Sequence, residues 1–253
     1  MRIFPKKERR EYGWFGNYET WNEALQDSSG YDTDEIFMKV SKAALKVKNG
    51  EVVYERDSVV FDEIQYSWPL LASLMYVSAK NDGSLNILDF GGSLGTTYFQ
   101  NRILLNGLFA VQWNIVEQKH FVDFGNTFIK NENLKFYYSI DECLKIKSPN
   151  IILLSSVLQY LESPYSFIEN LIKKHTFDFI LIDRTGFIKN HNDLLTIQKV
   201  PPTIYNASYP CWFFAEDKFF SIFKESYEIL IEYMALDNYK GLADCKGYLF
   251  QKV

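Results

Sequence analysis

Ile87-Leu88-Asp89-Phe90-Gly91-Gly92-Ser93-Leu94-Gly95 decides the fold. An apolar run ends in an acid, passes through a glycine turn and opens into residues 96–106, whose spacing predicts a helix. Glycines let a backbone turn sharply and approach a ligand closely. In open parallel sheets, ligands bind beyond the carboxyl ends of the strands. Asp89, Gly91, Gly92 and Gly95 are therefore candidate ligand contacts.

Downstream, residues 111–117, 134–139, 151–155 and 177–183 read as further strands. Helices are expected over 122–130, 141–145 and 166–174 between and after them. Strands alternating with helices imply a parallel sheet. Ile151-Ile152-Leu153-Leu154 fits a strand buried on both faces. Residues 184–214 read as a long loop, and such loops are usually functional. A helix at 216–225 and strands at 227–236 and 247–252 follow. The connection between those last two strands has no room for a helix, so they should run antiparallel.

Upstream, residues 1–30 are polar and punctuated, with Trp14 and Trp21, and then Tyr31, as possible anchors. Ile36, Phe37, Val40, Ala43, Ala44 and Val47 predict a helix over 34–48, and 66–80 reads as another. The expected fold class is α/β, a Rossmann-like doubly wound, mostly parallel sheet with an antiparallel C-terminal strand. A mainly helical cap or lid over residues 1–83 precedes the main domain, residues 84–253.

Composition narrows the function. The chain has 253 residues, 47% hydrophobic and 17% aromatic, with a net charge of −5. The lack of a basic footprint argues against nucleic acid as a partner. Cys143, Cys211 and Cys245 are an odd number with no CxxC pair, and His120, His175 and His191 lie far apart. Neither a disulfide framework nor a metal site is expected. The apolar stretch 67–79 contains Pro69 and is too short for a bilayer, and no secretory signal is visible. A cytoplasmic, soluble protein is expected; nothing indicates its oligomeric state.

The glycines at 91, 92 and 95 do not have the GxGxxG spacing of dinucleotide sites, and Asp89 would oppose a pyrophosphate. Asp89 to Gly95 instead resembles the first motif of class I S-adenosylmethionine-dependent methyltransferases. In that family an acid at the end of the next strand bonds the ribose hydroxyls, and Glu117 sits there. Residues 154–162, Leu-Ser-Ser-Val-Leu-Gln-Tyr-Leu-Glu, resemble the family's fourth motif, which lies beside the methionine part. Many relatives carry Asp or Asn where this chain has serines. Ser155 and Gln159 are the cofactor-side candidates there.

A narrower resemblance spans nearly the whole chain. It is to a bacterial family of methyltransferases of unassigned substrate, associated with surface-polysaccharide (capsule or O-antigen) synthesis. The matching stretches include Trp14-Phe15-Gly16, Trp21-Asn22-Glu23-Ala24, Gly30-Tyr31-Asp32 and Tyr54-Glu55-Arg56-Asp57-Ser58. Asp183-Arg184-Thr185, residues 195–201 and residues 204–210 complete it. The resemblance implies S-adenosyl-L-methionine as cofactor and a small-molecule acceptor such as a sugar, a nucleotide-linked sugar or a phosphorylated glycan precursor.

Acceptor-side candidates follow the fifth strand: Arg184, Gln198, Tyr205 and Tyr209 for binding, with His191 and then Asp183 as candidate proton acceptors. Asp183 could instead pair with Arg184, and His191 could be a solvated loop residue. The rival readings are an NAD-dependent oxidoreductase or epimerase, whose Tyr-xxx-Lys pair is not found, and a non-catalytic Rossmann-like binding module.

Overall fold

The computed structural model describes residues 11–30 and 34–253. Its strands are β1 (Gly13–Tyr18), β2 (Tyr54–Arg56), β3 (Val59–Phe61), β4 (Ser84–Phe90), β5 (Ala110–Val116), β6 (Leu134–Tyr137), β7 (Ile151–Ser155), β8 (Phe179–Ile188), β9 (Leu194–Lys199), β10 (Ser208–Ala215), β11 (Tyr227–Met234) and β12 (Asp244–Lys252). Its helices are α1 (Trp21–Gln26), α2 (Asp34–Lys48), α3 (Trp68–Ala79), α4 (Thr96–Leu105), α5 (Lys119–Phe124), α6 (Ile140–Leu144), α7 (Pro164–Lys174) and α8 (Glu216–Phe220). A π-helical turn, Gly125–Ile129, continues α5 where one unbroken helix is expected.

The central sheet runs β6-β5-β4-β7-β8-β12-β11. The first five of these strands are mutually parallel, and β12 runs antiparallel to both β8 and β11. Alternate residues feed two core layers, because successive side chains of a strand face opposite sides. Ile87, Ile151, Leu153 and Leu181 join α2, α3 and α4 in one layer. Leu88, Ile152, Leu154 and Ile182 join α6, α7 and α8 in the other. Ile151, Ile152, Leu153 and Leu154 are all fully buried, at about 1.5–3 kcal/mol each. That burial on both faces accounts for the continuous apolar run.

Two expectations differ from the structure. Residues 184–214 are not a loop: β8 runs on to Ile188, and β9 and β10 form an antiparallel hairpin. The end of β10 pairs parallel with the end of β8, at Phe214–Phe187 and Ala215–Ile188. The first 83 residues are not simply a helical cap either. β1 pairs antiparallel with β9, β2 and β3 form a separate hairpin, and α2 and α3 pack in the same core as β4. Tyr31 lies outside the described residues. Among the described residues, no helix is long and apolar enough to cross a membrane.

Candidate functional site

The carboxyl ends of β4, β5 and β7 meet the middle of β8, at Asp183 and Arg184, around a cavity of about 290 Å³. The hairpin β2–β3 and the Leu236–Tyr239 connection between β11 and β12 close its other sides. Six of its lining residues have left-handed backbone: Asp57 (φ 52), Ser58 (φ 69), Gly91 (φ 74), Ser93 (φ 52), Ser156 (φ 52) and Arg184 (φ 49). Five of them are not glycine, and each costs on the order of 1–3 kcal/mol unless its surroundings hold it. Such residues cluster at ligand sites.

The glycine turn forms one wall. Gly91 N donates to Val116 O at 2.9 Å, tying the turn to β5. A Cβ on Gly91 would fall 2.5 Å from Val157 Cγ2, in a backbone region that already favours glycine. A Cβ on Gly92 would fall 2.5 Å from the Asp89 carboxyl. Gly95 caps α4 rather than lining the cavity. Asp89 is 1% exposed, and its Oδ2 accepts from Trp113 Nε1 at 2.8 Å. Burial pushes its carboxyl up to about 7; the Trp113 bond opposes this and the Glu117 charge adds to it. Glu117 directly follows β5 and takes Gln118 N at 2.6 Å on Oε2. Burial raises its pKa as well.

On the opposite wall, Asp183 is 2% exposed. Its Oδ2 accepts from Ser155 Oγ and its Oδ1 from Tyr233 OH, each at 2.9 Å. Burial raises its pKa, against the nearby Arg184 charge and these two hydrogen bonds. Asp183 is therefore not the ion-pair partner of Arg184; that partner is Asp237, 3.5 Å from Arg184 Nε. Gln159 is buried behind the wall, where its Nε2 donates to Ser156 Oγ at 3.2 Å and to Arg184 O at 3.1 Å. It positions those residues rather than lining the cavity. Gln198 lines the cavity and accepts from Tyr160 OH at 2.8 Å. Tyr205 and Tyr209 line it too, and burial pushes the Tyr205 phenol up to about 12.

The structure thus brings Asp89, Gly91, Gly92, Glu117, Ser155, Asp183, Arg184, Gln198, Tyr205 and Tyr209 to one cavity. His191 is the correction. It is exposed in the turn between β8 and β9 and does not line the cavity. The reason is that β8 runs on to Ile188 and carries the chain past the cavity before this turn, whereas the opposite end of the β9–β10 hairpin, with Val200, Ile204 and Tyr205, lines it. Trp21 is also apart, stacked on Trp212 with centroids 6.4 Å apart, whereas Trp14 reaches the cavity.

Two acids escape the sequence reading as site residues. Glu55 on β2 is buried, accepting from Ser58 N at 3.3 Å and from Thr96 Oγ1. Burial pushes it up to about 7. Asp237 reaches the cavity from the β11–β12 connection. The stretch 54–58 did carry a family resemblance; Asp237 carried no signal, because only the fold brings it near. Among the described residues, no group of three or more His, Cys, Asp or Glu side chains is arranged to hold a metal ion. Cys143, Cys211 and Cys245 are free and buried.

No family model and no curated protein matches the chain. Solved structures do. The N-terminal domain of EvdMO1, crystallised in the presence of SAH and D-fucose, matches at 11% identity, covering 88% of this chain and 97% of that one, with a TM-score of 0.51. The same domain with SAH bound matches at 10% identity, over 87% and 98% of the two chains, also with a TM-score of 0.51. A SAM-dependent methyltransferase from Methanosarcina mazei matches at 13% identity, over 69% and 96%, with a TM-score of 0.48. At such identities the likeness is one of fold: the chain has an α/β, Rossmann-like methyltransferase fold, mostly parallel, with an antiparallel C-terminal strand pair.

Proposed function

We propose that this chain is an S-adenosyl-L-methionine-dependent methyltransferase acting on an oxygen of a small polar acceptor. One observation carries the reading: the Gly91–Ser93 turn and Glu117 face a cavity that Asp183 and Arg184 close from the other side. The donor set fits the cofactor. Glu117 offers carboxylate oxygens to a ribose diol, and the turn allows close backbone approach. Asp89 and Glu117 make the glycine-turn end of the cavity acidic, and no lysine lines it. That balance favours a sulfonium cation and opposes the pyrophosphate of a dinucleotide.

The cofactor would supply an activated methyl group, and the protein's part is binding and alignment. Asp89, Gly91, Gly92, Glu117 and Ser155 would hold it, with Gly95 and Gln159 shaping the turn and the opposite wall. Asp183 is the candidate to take the acceptor's proton. Burial raises its proton affinity, and Ser155 and Tyr233 fix its orientation. Gln198, Tyr205, Tyr209 and Arg184 would face the acceptor. His191 has no part in this reading. A sugar or nucleotide-linked acceptor in surface-glycan synthesis rests on the family resemblance. The SAH and D-fucose of the EvdMO1 crystals accord with a sugar acceptor.

Calorimetry with S-adenosylmethionine and S-adenosylhomocysteine is the test. Wild type should bind both, and Glu117→Ala should weaken binding by about 1.5–3 kcal/mol, the scale of a charged hydrogen bond. No binding, or unchanged affinity in the variant, would reject the reading. Turnover of no acceptor despite tight cofactor binding would favour the non-catalytic module.

A further inference from the structure

Two arginines line the cavity, and they come from distant parts of the chain. Arg56 lies on β2 and Arg184 lies within β8. Their guanidinium groups converge on one carboxylate. Arg56 Nη1 is 3.6 Å from Asp237 Oδ1, and Arg184 Nε is 3.5 Å from Asp237 Oδ2. Charge-assisted hydrogen bonds close at about 2.7–2.9 Å, so these are ion pairs held apart. Both nitrogens are buried without a hydrogen-bond partner. Neither guanidinium donates a hydrogen bond to any other side chain or carbonyl among the described residues. Each carries about five N–H donors in a planar fork.

The arrangement is not slack. The Arg184 backbone is left-handed, and its carbonyl accepts from Gln159 Nε2 at 3.1 Å and Tyr239 OH at 3.2 Å. The two side chains are only 19% and 18% exposed. A charge withdrawn this far from water is costly unless its donors are used. The other acids nearby do not use them. Asp183 is taken by Ser155 and Tyr233, and Glu55 by Ser58 and Thr96. Asp57 is exposed and makes no ion pair with either arginine. Within ion-pair distance two guanidiniums thus share one carboxylate, while Asp57 and Asp183 add negative charge around Arg184 without taking its donors.

We propose that Arg56 and Arg184 form a clamp for an oxyanion of the acceptor, a carboxylate or a phosphate, with Asp237 setting their spacing. Planar forks bind such groups through paired hydrogen bonds, which supplies both affinity and orientation. The clamp rests on the methyltransferase reading only for what happens to the bound molecule. On that reading the glycine turn and Glu117 would take the cationic cofactor, and the unused donors of the two arginines an anionic group of the acceptor.

Inorganic phosphate is the first probe, titrated calorimetrically into the protein with and without S-adenosylhomocysteine. Arg56→Gln and Arg184→Gln should each weaken phosphate binding at least tenfold while leaving S-adenosylhomocysteine affinity within twofold. Asp237→Asn should tighten phosphate binding, an outcome that loss of structure does not produce. If a Gln variant fails to fold, Arg56→Lys or Arg184→Lys keeps the charge and should bind phosphate at an intermediate strength. The second arm compares matched acceptors bearing a hydroxyl, carboxylate or phosphate at one position, followed by S-adenosylhomocysteine release. Only the anionic members should turn over efficiently, with a KM that rises in the Gln variants. Phosphate affinity unchanged by the variants, phosphate binding weakened by Asp237→Asn, or equal turnover of the neutral member would overturn the clamp. Arginine-dependent phosphate binding without any S-adenosylhomocysteine binding would overturn the methyltransferase reading and leave the clamp standing.

Discussion

Asp89→Asn tests the electrostatics of the glycine turn. Burial pushes the Asp89 carboxyl from 3.8 up to about 7. Below pH of about 4 the group is protonated in both folded and unfolded chains. Between there and pH of about 7 the unfolded chain has released the proton while the folded one keeps it. The folded state therefore binds more protons in that window. Its stability falls as pH rises through it and levels off above. A rise of about 3 pKa units at about 1.36 kcal/mol each sets a ceiling near 4 kcal/mol. Partial solvation and relaxation bring the expected loss to about 2–4 kcal/mol. Asparagine retains an acceptor for Trp113 Nε1 but does not titrate. Urea unfolding of both proteins from pH 4 to 8 gives the two profiles. The variant's curve should be flatter by that amount, and at pH 8 the variant should be the more stable. Glu55 also titrates near 7, but it is present in both proteins and largely cancels in the difference. Parallel profiles would refute the argument, since they would mean that Asp89 ionises in the folded state as easily as in the unfolded one.

Gly91→Val should cost about 2–5 kcal/mol of stability in thermal or urea unfolding, from a branched residue at positive φ plus overpacking against Val157. His191→Ala should change stability by less than about 0.5 kcal/mol and leave turnover intact once an acceptor is found, because the side chain is exposed and outside the cavity. Exhaustive chelation should leave turnover unchanged; loss restored by magnesium would reveal a divalent site.

The legible parts of this sequence are those whose signal is local. The bounds of α2 follow from its apolar spacing and from Gly50 just beyond it, and β4, its turn and α4 follow from one nine-residue stretch. Ile151–Ser155 announces itself because burial on both faces leaves no polar position. The β9–β10 hairpin is hidden by its prolines, two of which, Pro201 and Pro202, lie in the turn between the strands. Pro210 sits inside β10, which normally argues against a strand. It is tolerated because β10 meets β8 only at Phe214 and Ala215, so that edge is unpaired at residue 210. β1 is hidden for a different reason. Gly13 and Gly16 weaken its local preference, and a distant partner makes it a strand. The cavity follows the same division. The glycine turn, Glu117 and the Asp183-Arg184 pair could be read from the strand ends. Glu55 was legible only through a resemblance, and Asp237 depended on the C-terminal connection folding back.

The pairing of β1 with β9 also sets a schedule for the nascent chain. Gly13 pairs with Lys199 and Gly30 bridges to Ser208, so each waits for a partner made long after it. At roughly 5–20 residues per second, that delay is on the order of 10–40 s. The strand's glycines, at two of its six positions, suit a segment that must stay single for so long, because they weaken its tendency to pair wrongly. During this interval the parallel strands β4 to β8 can assemble without it. The N-terminal strand is thus among the last pieces added to the sheet, although it is among the first to be synthesised.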